Sequence, residues 1–203
     1  MKRLFLSLSL FYSVNLFAQQ ADYPIKAVNF TAVKLADNFW LPRIQVNHNV
    51  TIPASFAGRV KNFEMAAAHA GKFCTKFTFD DTDIYKTIEG ASFSMAVTQD
   101  KKMDRYVDSL IAIVAKAQEP DGYLYTARTI DPLHPPEWAG PERWVNEHSM
   151  SHELYNSGHL FEAASAHYLA TGKQNFLDIA LKNADLLVKT FGPGKRGVAP
   201  GHE

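Results

Sequence analysis

Three polar side chains near the chain's C-terminal third, His152, Asn156 and His159, recur at i, i+4 and i+7. At about 100° per residue of α-helix they fall within about 60° of one another on one face. Around them, Leu154, Leu160, Phe161, Ala164, Tyr168 and Leu169 make the stretch from Ser151 to Ala170 apolar over most of its circumference, so neighbours should bury it. A buried polar face has two uses. Its groups can satisfy one another within a helical core, or they can line a cavity and offer imidazole donors to a ligand's hydroxyls. His152-Glu153 is not a zinc-protease motif, because Asn156 stands where the second ligand would be needed one turn later.

Other groups with chemical potential are scattered. Asp83, Glu147, Glu153 and Glu203 could serve as acids or bases, although isolated carboxylates are usually solvated surface. Cys74 is the single cysteine, so it has no internal disulfide partner and cannot supply a multi-cysteine zinc site; a buried small hydrophobe is the expected role. Tyr123, Tyr125, Trp138 and Trp144 sit in a Pro-rich stretch from Pro120 to Asn146. Those rings either stack on the apolar face of a sugar or pin the loop to the body.

The elements that must position these residues are helical. An extended lead over residues 19–45 precedes a first helix whose first turn suits Pro53 and whose apolar spacing runs Phe56, Val60, Phe63, Ala67. A second helix starts near Thr82-Asp83. A third carries the stripe Tyr106, Val107, Leu110, Ile111, Val114, Ala117 and ends at Asp121-Gly122. A fifth follows the histidine helix, with Leu177, Ala180, Leu181, Ala184, Leu187, Val188 and Phe191 before Gly192-Pro193-Gly194. The connections Thr98-Gln99-Asp100-Lys101 and Thr171-Gly172-Lys173-Gln174 are alike, which suggests a repeated helical hairpin.

Composition narrows the partners. The 203 residues are 46% hydrophobic and 21% charged, ordinary for a globular protein, and 21 basic residues balance 21 acidic ones. No basic stripe offers phosphate neutralisation, so nucleic acid is excluded as a partner. Lys2 and Arg3, the apolar run Leu4 to Phe17, and Phe17-Ala18-Gln19 read as a signal peptide of residues 1–18 cleaved after Ala18. The run is shorter than the roughly 20 residues that span a bilayer, so an exported protein, periplasmic or extracellular, without a stable membrane anchor is expected.

Several ordered segments share a pattern. They are Val33-Lys34-Leu35-Ala36-Asp37-Asn38-Phe39-Trp40-Leu41-Pro42-Arg43, Thr51-Ile52-Pro53, Asn62-Phe63 and Asp81-Thr82-Asp83-Ile84-Tyr85-Lys86. Ala117-Gln118, Asp121-Gly122-Tyr123-Leu124, Ser151-His152-Glu153-Leu154-Tyr155, Gly158-His159 and Gly201-His202-Glu203 follow. Together they resemble glycoside hydrolase family 127, the β-L-arabinofuranosidase family. The resemblance implies an all-α fold over residues 46–203, the first part of an (α/α)6 barrel, an incomplete toroid of helical hairpins. It also implies an arabinose-containing oligosaccharide or glycan as partner. Substrate contacts would come from His152 and His202, with Asp83 and Tyr85 reaching the same pocket and His159 on the inward face. Thr87 and Gly90 depart from the family's usual Trp and Ala, which changes the pocket wall. The family's zinc-bound cysteine nucleophile and glutamate acid/base are expected beyond Glu203, so no catalytic residue and no zinc are assigned to this chain. An incomplete toroid is expected to expose apolar helix faces and to be inactive alone. Another (α/α)-barrel glycosidase or sugar epimerase using carboxylates or histidines, and a non-catalytic carbohydrate-binding protein, are the competing readings.

Overall fold

A computed structural model describes residues 25–197. The proposed leader and His202 lie outside them. The chain divides into two compact units, Met1–Lys34 and Leu35–Glu203. The described part of the first holds one 3-10 turn, Phe30–Ala32, closed by the Asn29 side chain, which accepts from the Thr31 backbone N–H.

The second unit is helical: α1 (Trp40–Val46), α2 (Ile52–Phe56), α3 (Lys61–Ala68), α4 (Asp81–Thr98), α5 (Lys101–Ala117), α6 (Thr126–Thr129), α7 (Glu153–Thr171) and α8 (Asn175–Thr190). Helix begins at Trp40, inside the lead expected to be extended. Asp37 accepts from the N–H groups of Phe39 and Trp40, satisfying donors that a helix start leaves orphaned. A π turn over Asn47–Thr51 joins α1 to α2. The single helix expected from Pro53 to Ala67 is broken, because Ala57 turns extended and α3 restarts at Lys61.

Two hairpins, α4–α5 and α7–α8, form the body. α4 and α7 pack mainly on each other and are apolar around most of their girth, while α5 and α8 are amphipathic and lie outside them. This is the layering of an inner and an outer ring. The α5 stripe is as expected, with Met103, Val107, Leu110, Ile111, Val114 and Ala117 buried, except that Tyr106 is exposed. On α8 the buried row is Phe176, Ile179, Ala180 and Asn183, and Leu181 and Val188 face outwards. The expected stripe was therefore rotated. Phe176 and the Asn183 amide, which donates to the Gly122 carbonyl at 2.9 Å, set the orientation.

The stretch expected as a long loop from Pro120 to Asn146 is an ordered lid of short turns that includes α6 and a 3-10 turn at Glu137–Ala139. Gly122 has a positive φ, and a Cβ there would meet the Lys182 carbonyl oxygen at 2.2 Å, so only glycine lets the lid approach α8 this closely. Arg143 bridges Glu119 and Asp121, and Arg128 donates to the carbonyls of Gly140 and Pro141. Among the described residues no helix is long and apolar enough to cross a membrane.

Candidate functional site

The amino ends of α4 and α7 lie side by side, and the lid crosses both. At α4, Thr126 donates its backbone N–H at 2.8 Å and its hydroxyl at 2.5 Å to the buried Asp81 carboxylate. Burial raises the pKa of Asp81 to about 7, with the two Thr126 hydrogen bonds opposing. At α7, Glu147 accepts from the N–H groups of Glu153 and Leu154, both at 2.9 Å, and from the Ser151 hydroxyl at 3.2 Å. Glu153 in turn accepts from the Tyr123 hydroxyl at 2.5 Å and the Trp144 N–H at 2.6 Å. Burial lifts Glu153 to about 7 as well. These carboxylates hold the architecture together. That gives Glu147 and Glu153 a structural role, and leaves Asp83 and the histidines to the alternative that uses carboxylates or histidines.

The same contacts divide the lid's aromatic rings. Tyr123 and Tyr125 are buried, the second donating its hydroxyl to the Ser151 carbonyl at 2.7 Å, and they pin the lid. Trp144 packs edge-on against Tyr123. Trp138 alone of the four stacks outside this cluster, on Phe77.

His152 is not part of the helical face expected for it. It occupies the N-cap position of α7 in a left-handed conformation, φ 51° and ψ 39°, which a non-glycine residue adopts at a cost of about 1 kcal/mol. The Glu147 carboxylate fixes the backbone on its C-terminal side. The His152 ring is buried, edge-on to Phe79 at 4.8 Å and to Tyr155 at 6.0 Å.

On α7 itself the polar row is Tyr155, His159 and Glu162. His159 stands edge-on to Tyr155 at 4.5 Å, with Nδ1 3.0 Å from the Glu162 carboxylate. Asn156 turns into the interior, where its amide has no hydrogen-bond partner among the described residues. Across from α7, Lys86 of α4 donates to the Tyr155 hydroxyl at 2.6 Å, and its ammonium lies 4.7 Å from the ring centroid. Glu89, one turn further along α4, has its pKa raised by partial burial first and then by the Glu162 charge.

Lys86 also lines a groove of about 330 Å³ with Asp83, Arg59, Thr87 and Gly90. Asp83 forms an ion pair there with Arg59. Both positions that depart from the family pattern, Thr87 and Gly90, thus sit on one groove wall, where small side chains leave room. Tyr85 goes elsewhere: it is buried in the apolar core against Phe63 and Phe176, and its hydroxyl has no hydrogen-bond partner among the described residues. The expectation that Tyr85 reaches the pocket is corrected, since α4 turns position 85 inwards while Asp83 and Lys86 face out. Of the expected site residues, His152 and His159 flank the Tyr155 ring, and Asp83 lines the same groove as Lys86. Sequence reasoning missed Lys86, Tyr155 and Phe79, although Lys86 lies three residues after Asp83 and Tyr155 four before His159, spacings that put each pair on one helix face.

A family model for the beta-L-arabinofuranosidase GH127 catalytic domain matches residues 32–203. The chain belongs to this family. A non-reducing end beta-L-arabinofuranosidase of Bifidobacterium longum subsp. longum is 36% identical over 145 residues, 70% of this chain and 21% of the relative. Among solved structures, a GH127 beta-arabinofuranosidase is 54% identical with a TM-score of 0.83, covering 89% of this chain and 30% of that one. A GH127 beta-L-arabinofuranosidase from Geobacillus stearothermophilus T6 is 34% identical with a TM-score of 0.71, over 81% of this chain and 26% of that one. The chain thus spans less than a third of the length of these relatives, and its two hairpins are part of an all-α (α/α) barrel.

The described residues of this GH127 chain do not fit a zinc–thiolate centre. Cys74 is exposed, not buried as expected, and its Sγ lies 3.1 Å from the Asn62 side-chain oxygen, with no second cysteine in the chain. Asp104, Asp108 and His167 bring three potential ligand atoms within 4.8 Å, but the Lys173 ammonium already sits 2.6 Å from both carboxylates. Lys173 thus acts as their counter-ion and ties the second hairpin turn to α5.

Proposed function

We propose that the protein carrying this chain hydrolyses L-arabinofuranosides, with His152, His159 and Asp83 helping to form the sugar-binding wall. Membership of the family supports the reaction class. The observation that carries the site is the His152 ring, held on a left-handed backbone edge-on to Phe79 at 4.8 Å and to Tyr155 at 6.0 Å, with His159 against the same Tyr155 ring at 4.5 Å. His202 lies outside the described residues and joins the site only by family resemblance. Nucleophile, acid/base and zinc belong, by the same resemblance, to sequence beyond Glu203.

Incubating the complete gene product with an aryl β-L-arabinofuranoside tests this reading. Release of arabinose, abolished by a chelator, is the expected result. Saturable sugar binding without turnover would replace it with a carbohydrate-binding role. We further infer export through a leader at residues 1–18, supported by the charged start and apolar run; N-terminal sequencing of the secreted protein should begin at Gln19.

A further inference from the structure

The segment between α3 and α4 and the lid after α6 face each other across a cleft of about 820 Å³. Its size falls within the roughly 300–1,000 Å³ usual for ligand sites. Phe73, Ile130 and Trp138 supply apolar wall, and Lys72, Lys76 and Asp131 supply donors and an acceptor. A carbohydrate presents the matching chemistry, with C–H faces for rings and hydroxyls for charged groups.

From Trp138 an unbroken line of rings leads to the site at the start of α7. Trp138 stacks on Phe77 at 6.0 Å with planes 25° apart, and Phe77 stacks on Phe79 at 5.3 Å and 28°. Phe79 then meets His152 at 4.8 Å, and His152 meets Tyr155 at 6.0 Å. Phe77 is 37% exposed, and neither Phe77 nor Phe79 belongs to the apolar core clusters. Core packing therefore does not account for this ribbon.

We propose that the cleft holds the leaving-group side of an arabinose-containing oligosaccharide, with Trp138 on its wall and the exposed Phe77 stacked beside Trp138 as successive platforms, while the terminal sugar reaches His152. This rests on the hydrolase reading above and adds to it a preference for extended substrates over simple arabinosides.

The test uses the full-length protein and two substrates sharing one terminal sugar, an aryl β-L-arabinofuranoside and a β-L-arabinofuranosyl oligosaccharide. Trp138→Ala and Phe77→Ala should each lower kcat/KM for the oligosaccharide about tenfold, chiefly through KM. Both should leave the aryl substrate unchanged, and Trp138→Phe should recover much of the loss. Equal losses on both substrates, or none on either, overturn the proposal. If no arabinoside is turned over, the hydrolase reading fails separately, and tryptophan fluorescence decides the cleft. Quenching by the oligosaccharide that persists in His152→Ala but is lost in Trp138→Phe supports it; no quenching in the unmodified protein overturns it.

Discussion

The two ends of the inner helices are built on different terms. At their carboxyl ends, α4 and α7 stop in short turns through left-handed residues, Gln99 and Gly172, with solvent-facing polar groups and no buried carboxylate. At their amino ends, Asp81, Glu147 and Glu153 are buried, a lid crosses both helices, and His152 holds a strained conformation beside a row of rings. Burying three carboxylates costs free energy that hydrogen bonds only offset. The turns carry left-handed strain at Gln99 but bury no carboxylate, so the amino ends give up more stability, and they do so to hold a shaped surface.

The contrast is broken most severely at His152. If the proposed sugar-binding role holds, His152→Ala should lower kcat/KM for arabinofuranosides roughly 100-fold in the full-length protein, through loss of the contact proposed for it. His152→Gly should lose as much activity yet be more stable than the alanine variant by about 1 kcal/mol, since glycine adopts φ 51° without strain. Thermal midpoints of the two variants beside their kinetics check the ordering, and an alanine variant as stable as glycine would contradict it. Next in size is Glu147→Ala, which strips the acceptor from a buried N–H, a half-buried N–H and a buried hydroxyl. Hydrogen exchange should show the first turn of α7 opening more easily by about 3 kcal/mol.

These two ends were not equally legible in the sequence. Hairpin turns depend on neighbouring residues, and the repeated connection and the α5 stripe could be read directly from spacing. The site depends on contacts between distant positions, such as Lys86 with Tyr155 and Tyr123 with Glu153, which no local period encodes. Periodicity placed His152 on a helical face because it assumes right-handed backbone, and the φ of that residue breaks the assumption. It gave one apolar row on α8, from Leu177 to Phe191, whereas the buried row is set by Phe176 and Asn183, which touch other elements. The resemblance to GH127 covered what periodicity could not, yet it carried Tyr85 to a pocket from which its ring is turned away.

A smaller effect concerns pH. The Asp81 carboxyl titrates near 7 in the folded protein against a usual 3.8, so the folded state binds its proton more tightly. Its stabilising contribution is complete below about pH 4 and is lost as pH rises through about 7. Burial shifts Glu153 in the same direction. Anchoring of the lid to α4 should therefore loosen between pH 5 and pH 8, and Asp81→Asn should weaken that dependence. Exchange rates of the Thr126 amide at both pH values measure it, and an unchanged slope in the variant would remove Asp81 as the cause.

The smallest effect sharpens the comparison from the opposite end. Gln99 and Gly172 occupy equivalent C-cap positions, with φ of 53° and 73°. A Cβ added at Gly172 meets nothing within 4 Å, so Gly172→Ala isolates the backbone and should cost about 1 kcal/mol. Gln99→Gly should gain somewhat less, about 0.5 kcal/mol, because the flexible unfolded chain offsets part of the relief. Neither change should alter turnover, since both lie at the end of the inner helices away from His152. A shift in kcat/KM from either would show that the two ends are mechanically coupled through α4 and α7, and that stability and function are not divided between them as their construction implies.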